Sequence, residues 1–332
     1  MAESYVIGVD FGSDSVRALI VNTETGENVG QGVACYPRWK AGLYQHPEYS
    51  IFRQHPLDYL ESLEKCITTA LAELTEEQKD HVIGIGVDTT GSTPVPVAKN
   101  GTPLALLDEF AENENAMFFL WKDHAAAAEA DEINKLFRNN SENDYTKYQG
   151  DYSAEWYWAK ILYAVRHDEA IRQAAYTWEE HCDWMTGILC GETRPEKIYH
   201  SACAAGHKAL WHSEWNGLPA ASVLEQLDPY LVQVRERYGN APQPSTVKVG
   251  TLCPEWAKKL GLKESTVISG SSFDAHAGAV GAGIQKKTFV CTMGTSCVDM
   301  FVEKPENLKG KDIQAYCGQA ENSILPGYVG VE

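Results

Sequence analysis

The sequence has no apolar run of the length that a membrane helix needs, about 18 consecutive apolar residues. Its N-terminus has no basic region, and the strand-length apolar run that follows contains Asp10, so we predict no signal peptide. The nine cysteines form no CxxC pair and no regular framework. An odd cysteine count without a secretion signal predicts reduced thiols, and we expect a cytoplasmic protein with no membrane partner.

Several motifs of catalysis and binding are missing as well. No GxxxxGK[ST] segment indicates a P-loop, and no HExxH or paired Cys/His set indicates a zinc site. The formal net charge of −18 disfavours nucleic acid as a partner, because an acidic surface repels the phosphodiester backbone. Four histidines carry no pattern that points to a function: His124, His181, His207 and His276.

The first part of the chain contains a clear strand pattern. Residues 5–10, 16–22 and 28–36 are predicted to form three strands, and the turn residues between them predict an antiparallel meander. Apolar residues at helical spacing predict a helix over 56–74, and residues 81–88 are typical of a buried strand. This alternation predicts an α/β fold, and the opening meander argues against an all-parallel Rossmann sheet.

The remaining pattern is mostly helical. Residues 95–101 are predicted to form a hairpin edge, and residues 125–240 are predicted to be largely helical. The aromatic run at 155–158 is predicted to lie in the core rather than to bind a ligand. Further along, a strand is predicted at 266–269 and a helix of small residues at 274–282.

Two short segments of the sequence resemble each other. Residues 12–16 (GSDSV) and 294–298 (GTSCV) each lie between two apolar strands, the second pair being 288–293 and 298–302. The likeness indicates a duplicated domain with two similar hairpins, and chance is the alternative for so short a match. We therefore predict a first domain over residues 1–285 and the incomplete start of a second domain over 286–332.

Acidic and small hydroxyl residues follow three of the predicted strands. Asp10 precedes a Gly-Ser turn whose backbone N–H groups suit phosphate oxygens, and Asp10 itself suits Mg²⁺ held through water. A tight hairpin is the alternative reading of that turn. The segment 88–93 (DTTGST) follows a second strand, where ligands of open α/β sheets gather. Asp274 opens a predicted helix, either as its N-cap or as a base that accepts a proton from a substrate hydroxyl.

Together these segments resemble the FGGY family of carbohydrate kinases. Residues 10–21 (DFGSDSVRALIV) are similar to the first phosphate motif of that family and residues 293–297 (MGTSC) to the second. Residues 88–93 and 269–283 (SGSSFDAHAGAVGAG) are similar to two further landmarks, in the same order. The resemblance implies an actin-like (ribonuclease H-like) ATPase domain, plus the start of a second such domain. It also implies that the adenine-binding part lies beyond this chain.

Within the family, three segments resemble the bacterial members that phosphorylate L-ribulose. They are residues 120–124 (LWKDH), 206–211 (GHKALW) and 326–332 (PGYVGVE). The resemblance implies that Asp274 is the catalytic base for the terminal hydroxyl of the sugar. It further implies a ketopentose site lined by Asp274, Gly91, Trp121, Lys208 and Glu332. The alternatives are that Lys208 and Glu332 are surface charges and that Trp121 belongs to the core.

The same resemblance implies ATP and Mg²⁺ as cofactors, with Asp10 at the metal. It implies phosphate contacts from six residues: Gly12, Ser13, Ser15, Arg17, Gly294 and Thr295. The implied reaction converts L-ribulose and ATP to L-ribulose 5-phosphate and ADP in arabinose catabolism, and this chain alone is expected to be nearly inactive. The alternatives are a kinase for xylulose or a related ketose, and a non-enzymatic actin-like sugar-binding module. The sequence leaves a homodimer open.

Overall fold

The structure is a computed structural model that describes residues 3–293, 297–309 and 318–332. The strands are β1 Tyr5–Phe11, β2 Ser15–Asn22, β3 Asn28–Cys35, β4 Gln45–His46, β5 Ile51–Gln54, β6 Val82–Thr89, β7 Pro94–Val97, β8 Phe118–Phe119, β9 Thr177–Glu180, β10 Lys248–Thr251, β11 Val267–Ser269, β12 Ser272–Phe273, β13 Val290–Met293, β14 Cys297–Glu303, β15 Gln319–Glu321 and β16 Val329–Val331.

The helices connect these strands and cover the larger sheet. They are α1 Pro37–Lys40, α2 Pro56–Leu71, α3 Glu76–Lys79, α4 Ala127–Arg138, α5 Tyr157–His167, α6 Glu169–Ala174, α7 His181–Cys190, α8 Ala202–His207, α9 Ala221–Leu227, α10 Pro229–Glu236, α11 Pro254–Leu260, α12 Asp274–Gly281 and α13 Pro305–Leu308. In the part of the chain that the structure describes, no helix is long and apolar enough to span a membrane.

The predicted opening meander is confirmed. Strands β1, β2 and β3 pair antiparallel in sequence order, and the first hairpin runs from the Tyr5–Asn22 pair to the Phe11–Val16 pair. Alternate residues of β1 are buried, as period-2 patterning requires. The buried face of the meander is therefore the one that packs on the core.

Helix α2 covers this buried face of the meander. The helix begins at Pro56, and the side chain of His55 accepts a hydrogen bond from the Leu57 N–H at its N-terminus. Two glycines on β3, Gly30 and Gly32, let the helix approach closely. A Cβ at Gly32 would collide with the carbonyl oxygen of Cys66, and one at Gly30 with that of Ala70. The predicted helix thus exists, and it ends at Leu71 rather than at residue 74.

The central sheet has seven strands in the order β10-β11-β6-β1-β2-β3, with β12 also paired to β6. Strands β1, β11 and β12 all run parallel to β6, whereas the meander strands are antiparallel. The carboxyl ends of β1, β6 and β12 consequently lie side by side. This edge of the sheet is where the candidate site forms.

Residues 125–240 are largely helical, as predicted, and they build a second core. The aromatic run belongs to it: Trp156 is 2% exposed and Trp158 is fully buried. Strand β9 is the exception within this region. It pairs with β7, a pairing that the predicted hairpin edge at 95–101 did not include. Residues 98–102 do form a tight turn, in which the Gly101 N–H donates to the Ala98 carbonyl.

The last part of the chain forms a separate four-stranded sheet in the order β13-β14-β16-β15. Strands β13 and β14 pair antiparallel, as predicted, with Val290 opposite Met300. Their buried side chains pack against helix α12. This sheet carries Glu332, the residue after β16, toward the central sheet.

Candidate active site

Three acidic residues meet where β1, β6 and β12 end. In the parallel register Asp10 lies opposite Asp88, and Phe273 lies opposite Thr89. Asp274 follows Phe273 directly and is the first residue of α12. Parallel strands thus bring together Asp10, Asp274 and Asp88, the last of which begins the predicted ligand segment 88–93. Ligands of open α/β sheets bind at such strand ends.

The charges of this cluster act on one another. Burial raises the pKa of Asp88 well above its ordinary value, and the carboxylates of Asp10 and Asp274 raise it further. Arg17 opposes this effect: its Nη1 lies 2.8 Å from Oδ2 of Asp10. The cluster therefore has an excess of negative charge that a cation would relieve.

Asp274 is held by the start of its own helix. Phe273, not Asp274, occupies the N-cap position, and Oδ1 of Asp274 accepts a hydrogen bond from the Ala275 N–H at 2.7 Å. Partial burial raises the pKa of Asp274, and this N–H partly offsets the rise. The side chain remains exposed, so its carboxylate is open to a substrate.

The turn after β1 is tightly anchored by its backbone. The Gly12 N–H donates to the Ser15 carbonyl at 3.0 Å, and the Tyr36 hydroxyl donates to the Gly12 carbonyl at 3.0 Å. The hydroxyl of Ser13 accepts a hydrogen bond from the indole N–H of Trp121. Ser15 itself is buried at the start of β2. Two further predicted phosphate contacts, Gly294 and Thr295, lie outside the described residues.

Gly91 lies directly against the aromatic ring that precedes Asp274. A Cβ at Gly91 would collide with the ring of Phe273, so only glycine fits there without movement. The two adjacent residues are anchored by a buried carboxylate. Glu180 accepts hydrogen bonds from the Ser92 hydroxyl and from the Thr93 N–H, the latter at 2.9 Å.

Lys208 and Glu332 form a buried ion pair beside Asp274. Nζ of Lys208 lies 3.2 Å from Oε1 of Glu332, and the two side chains are 8% and 3% exposed. The alternative that both are surface charges is therefore wrong. Lys208 also lies over the Phe273 ring at 6.0 Å, and its charge lowers the pKa of Asp274. These contacts place the Lys208–Glu332 pair near Asp274.

Two histidines complete the surroundings of Glu332. Nε2 of His276 lies 2.9 Å from Oε2 of Glu332, and Nδ1 of His207 lies 3.5 Å from Oε1. Burial alone would raise the pKa of Glu332, but His276, Lys208 and His207 outweigh it and hold that pKa well below its usual range. Glu332 is thus a carboxylate. His207 and His276 carried no interpretable pattern in the sequence, since their partner is distant along the chain.

The comparisons with known proteins agree with this architecture. A model of the N-terminal domain of the FGGY family of carbohydrate kinases matches residues 5–281. The ribulokinase of Vibrio parahaemolyticus is 46% identical over 331 residues, which cover 99% of this chain and 58% of that protein. The ribulokinase of Shouchella clausii is 34% identical over 338 residues, which cover 99% of this chain and 58% of that protein. The chain therefore spans less than two thirds of the length of these relatives.

Two solved structures superpose over nearly the whole chain. The xylulose kinase from Rhodospirillum rubrum gives a TM-score of 0.74 at 16% identity and covers 98% of this chain and 59% of its own. The glycerol kinase from Plasmodium falciparum gives a TM-score of 0.74 at 13% identity, and the superposition covers 99% of this chain and 61% of that protein. Identities this low show the fold alone. That fold is the actin-like ATPase fold, which confirms the predicted fold class.

Within that class the family follows from the match over residues 5–281 and from the similarity to the two ribulokinases. The chain belongs to the FGGY family of carbohydrate kinases.

Proposed function

We propose that this chain supplies the sugar-binding cleft of a kinase that transfers the γ-phosphate of ATP to the 5-hydroxyl of L-ribulose. The observation that carries the proposal is the convergence of Asp274 with the buried Lys208–Glu332 pair. The 46% identity to a ribulokinase supports L-ribulose as the sugar. The reaction would yield L-ribulose 5-phosphate and ADP.

In this proposal Asp274 is the catalytic base. Its exposed carboxylate accepts the proton of the 5-hydroxyl as that oxygen attacks the phosphorus. The raised pKa makes it a stronger base than a fully solvated aspartate. The neighbouring Lys208 ammonium favours the carboxylate form and therefore opposes this rise in the pKa of Asp274.

The other residues of the cleft bind and orient the sugar. Lys208 donates, and Glu332 accepts, hydrogen bonds with the sugar hydroxyls, and both are held rigidly by their ion pair. The ring of Trp121 is partly buried against the main core, and we propose that its remaining surface forms one wall of the site. We propose likewise that the backbone at Gly91 approaches the sugar closely. A site built to bond hydroxyl groups discriminates against analogues that lack them, since its buried polar groups would then be left unpaired.

The residues present fit ATP and Mg²⁺. The excess negative charge of Asp10 and Asp88 suits a divalent cation, and Asp10 would hold it through water, because Mg²⁺ dehydrates reluctantly. Bound Mg²⁺ would offset the charge of the transferred phosphate. Gly12, Ser13, Ser15 and Arg17 would contact the phosphates from the first turn, and Gly294 and Thr295 from the second.

We further propose a division of the polypeptide near residue 285, with a sugar-binding domain before it and the start of a nucleotide-binding domain after it. The family match ending at residue 281 supports this boundary. The chain spans 58% of its ribulokinase relatives, so we propose that the corresponding remainder completes the ATP site. The 332-residue chain alone would then bind sugar but turn over little.

The test compares Asp274→Asn with Asp80→Asn in the full-length kinase proposed above. Asp80 is a suitable control because it is exposed and pairs with Lys263 at the surface. We expect Asp274→Asn to lower kcat by about 10²–10⁴-fold, as loss of a general base does, while the Kd for L-ribulose keeps its order of magnitude. Asp80→Asn should leave both unchanged. Full turnover in Asp274→Asn would refute the assignment, and a panel of other ketoses would test the choice of sugar.

A further inference from the structure

Lys160 is a lysine with no access to water. It lies on α5 and is fully buried, and four backbone carbonyls surround its ammonium group. Nζ lies 2.7 Å from the Ser92 oxygen, 2.9 Å from the Leu120 oxygen, and 3.4 Å from the oxygens of Phe119 and Trp121. Burying an ammonium group is costly, and hydrogen bonds to carbonyl oxygens are what make it tolerable.

Three of the four carbonyls belong to two different loops, and the fourth is that of Phe119, the last residue of β8. One loop follows β6 and contains Gly91 and Ser92, and the other follows β8 and contains Trp121. Each loop thus carries one of the residues proposed to line the sugar cleft. Lys160 connects the two loops by hydrogen bonds to their backbone carbonyls. Its own side chain is buried and does not reach the cleft.

A buried carboxylate completes the arrangement on the side of Gly91. Glu180, at the end of β9, binds the Ser92 hydroxyl and the Thr93 N–H. Burial lowers the pKa of Lys160 to about 7 and raises that of Glu180 to about 7, and each charge favours ionisation of the other. Side chains from α5 and β9 therefore hold the same short loop, Lys160 at the Ser92 carbonyl and Glu180 at the Ser92 hydroxyl and the Thr93 N–H.

We propose that Lys160, supported by Glu180, is a positioning residue that sets the separation between the Gly91 and Trp121 walls of the sugar cleft. This inference rests on the proposed function, because it assigns affinity for the ketopentose to a residue that does not touch it. A displacement of about 1 Å in such a wall can cost up to about 10²-fold in rate, and we expect the same misplacement to weaken sugar binding.

The first test compares Lys160→Met with Arg172→Met. Both replace a cation by a side chain of similar length, and Arg172 anchors α6 to Asp228 without contacting either loop. We expect both variants to lose thermal stability, and only Lys160→Met to bind L-ribulose at least about tenfold more weakly in calorimetric titration. Equal affinity in folded Lys160→Met and the unsubstituted chain would overturn the proposal.

Hydrogen exchange supplies a readout that needs no sugar. In Lys160→Met the amides of residues 90–93 and 119–123 should lose protection, whereas Arg172→Met should leave them unchanged. Unchanged protection of both loops in Lys160→Met would also overturn the proposal.

If Lys160→Met does not fold, Glu180→Gln decides in its place. That variant keeps the four carbonyl contacts of Lys160 but puts an amide donor against Ser92 or Thr93.

Glu180→Gln is expected to loosen residues 91–93 and to weaken sugar binding, and unaltered binding would contradict the role of the pair. The control for the underlying function is the unsubstituted chain. If it does not bind L-ribulose at all, the proposed function fails. If it binds and all variants bind equally well, only the positioning role fails.

Discussion

Trp121 donates its indole N–H to the hydroxyl of Ser13, with 2.9 Å between Nε1 and Oγ. The two residues are 108 positions apart in the sequence. Ser13 belongs to the turn proposed for phosphate, and Trp121 to the wall proposed for sugar. The bond therefore joins the turn proposed for phosphate directly to the wall proposed for sugar.

The first prediction concerns this bond. Trp121→Phe keeps an aromatic wall but removes the N–H, and a hydrogen bond of this kind contributes about 1 kcal/mol, which is about fivefold in affinity. We expect a Kd for L-ribulose raised by about that factor in calorimetric titration. Trp215→Phe is the matched control, because it loses an indole bond to the Leu210 carbonyl outside the cleft. An equal loss of sugar affinity in both variants would argue against a specific role for Trp121.

The second prediction concerns Gly91. In Gly91→Ala the new methyl group must displace the Phe273 ring, which adjoins Asp274, and overpacking of this kind costs about 1–3 kcal/mol. We expect a lower melting temperature together with weaker sugar binding. Gly278→Ala is the contrasting control: no atom lies within 4 Å of its added Cβ, and alanine favours the helix by about 0.5–1 kcal/mol. A stable Gly91→Ala variant with normal affinity would contradict the packing argument.

The third prediction concerns the His276–Glu332 pair and pH. Burial disfavours the charged imidazole, but Cys203 and Glu332 outweigh it and raise the pKa of His276 well above 6.5. A raised pKa in the folded state contributes stability that is complete below pH 6.5 and is lost as pH rises through the folded pKa. The lowered pKa of Glu332 acts in the opposite direction and matters only as pH falls below its usual range.

We therefore expect His276→Asn to lower the free energy of unfolding by about 1.5–3 kcal/mol at pH 6, as loss of a charged hydrogen bond does. The difference from the unsubstituted chain should shrink as pH rises, and denaturant unfolding from pH 6 to pH 9 measures it. His167→Asn, at an exposed position on α5, should show a small difference that does not vary with pH. A constant difference for His276→Asn would mean that the imidazole is neutral.

The fold could be predicted from the sequence wherever the signal was local. The meander has turn residues between alternating strands, and α2 has one apolar face, so both were found within a few residues of their ends. The pairing of β7 with β9 was missed, because a partner about 80 residues away leaves no trace in the pattern of either strand. The strand pair β13–β14 was again a local signal.

The residues of the candidate site likewise fall into those with a local sequence signal and those whose partners are distant along the chain. Asp10 was predicted because it ends a predicted strand, and Asp274 because it opens a predicted helix after a strand and a Gly-Ser stretch; strand ends are where ligands bind. The family resemblance implied that Lys208 and Glu332 share one site. Their ion pair and the two histidines around Glu332 were not predicted, since Lys208 and Glu332 are 124 positions apart and the histidines come from different helices. Lys160 left one usable signal, a single charge inside the apolar run of α5. Such a lysine must be buried with partners, but the sequence does not say which.

The central claim is that these residues form a sugar site within this chain. Calorimetric titration of the 332-residue chain with L-ribulose, and separately with ATP–Mg²⁺, tests it most directly. We predict one L-ribulose site per chain, lost in Lys208→Met and kept in Asp274→Asn, with weak or absent nucleotide binding. Tight, sugar-independent binding of ATP–Mg²⁺ without any binding of L-ribulose would contradict the claim.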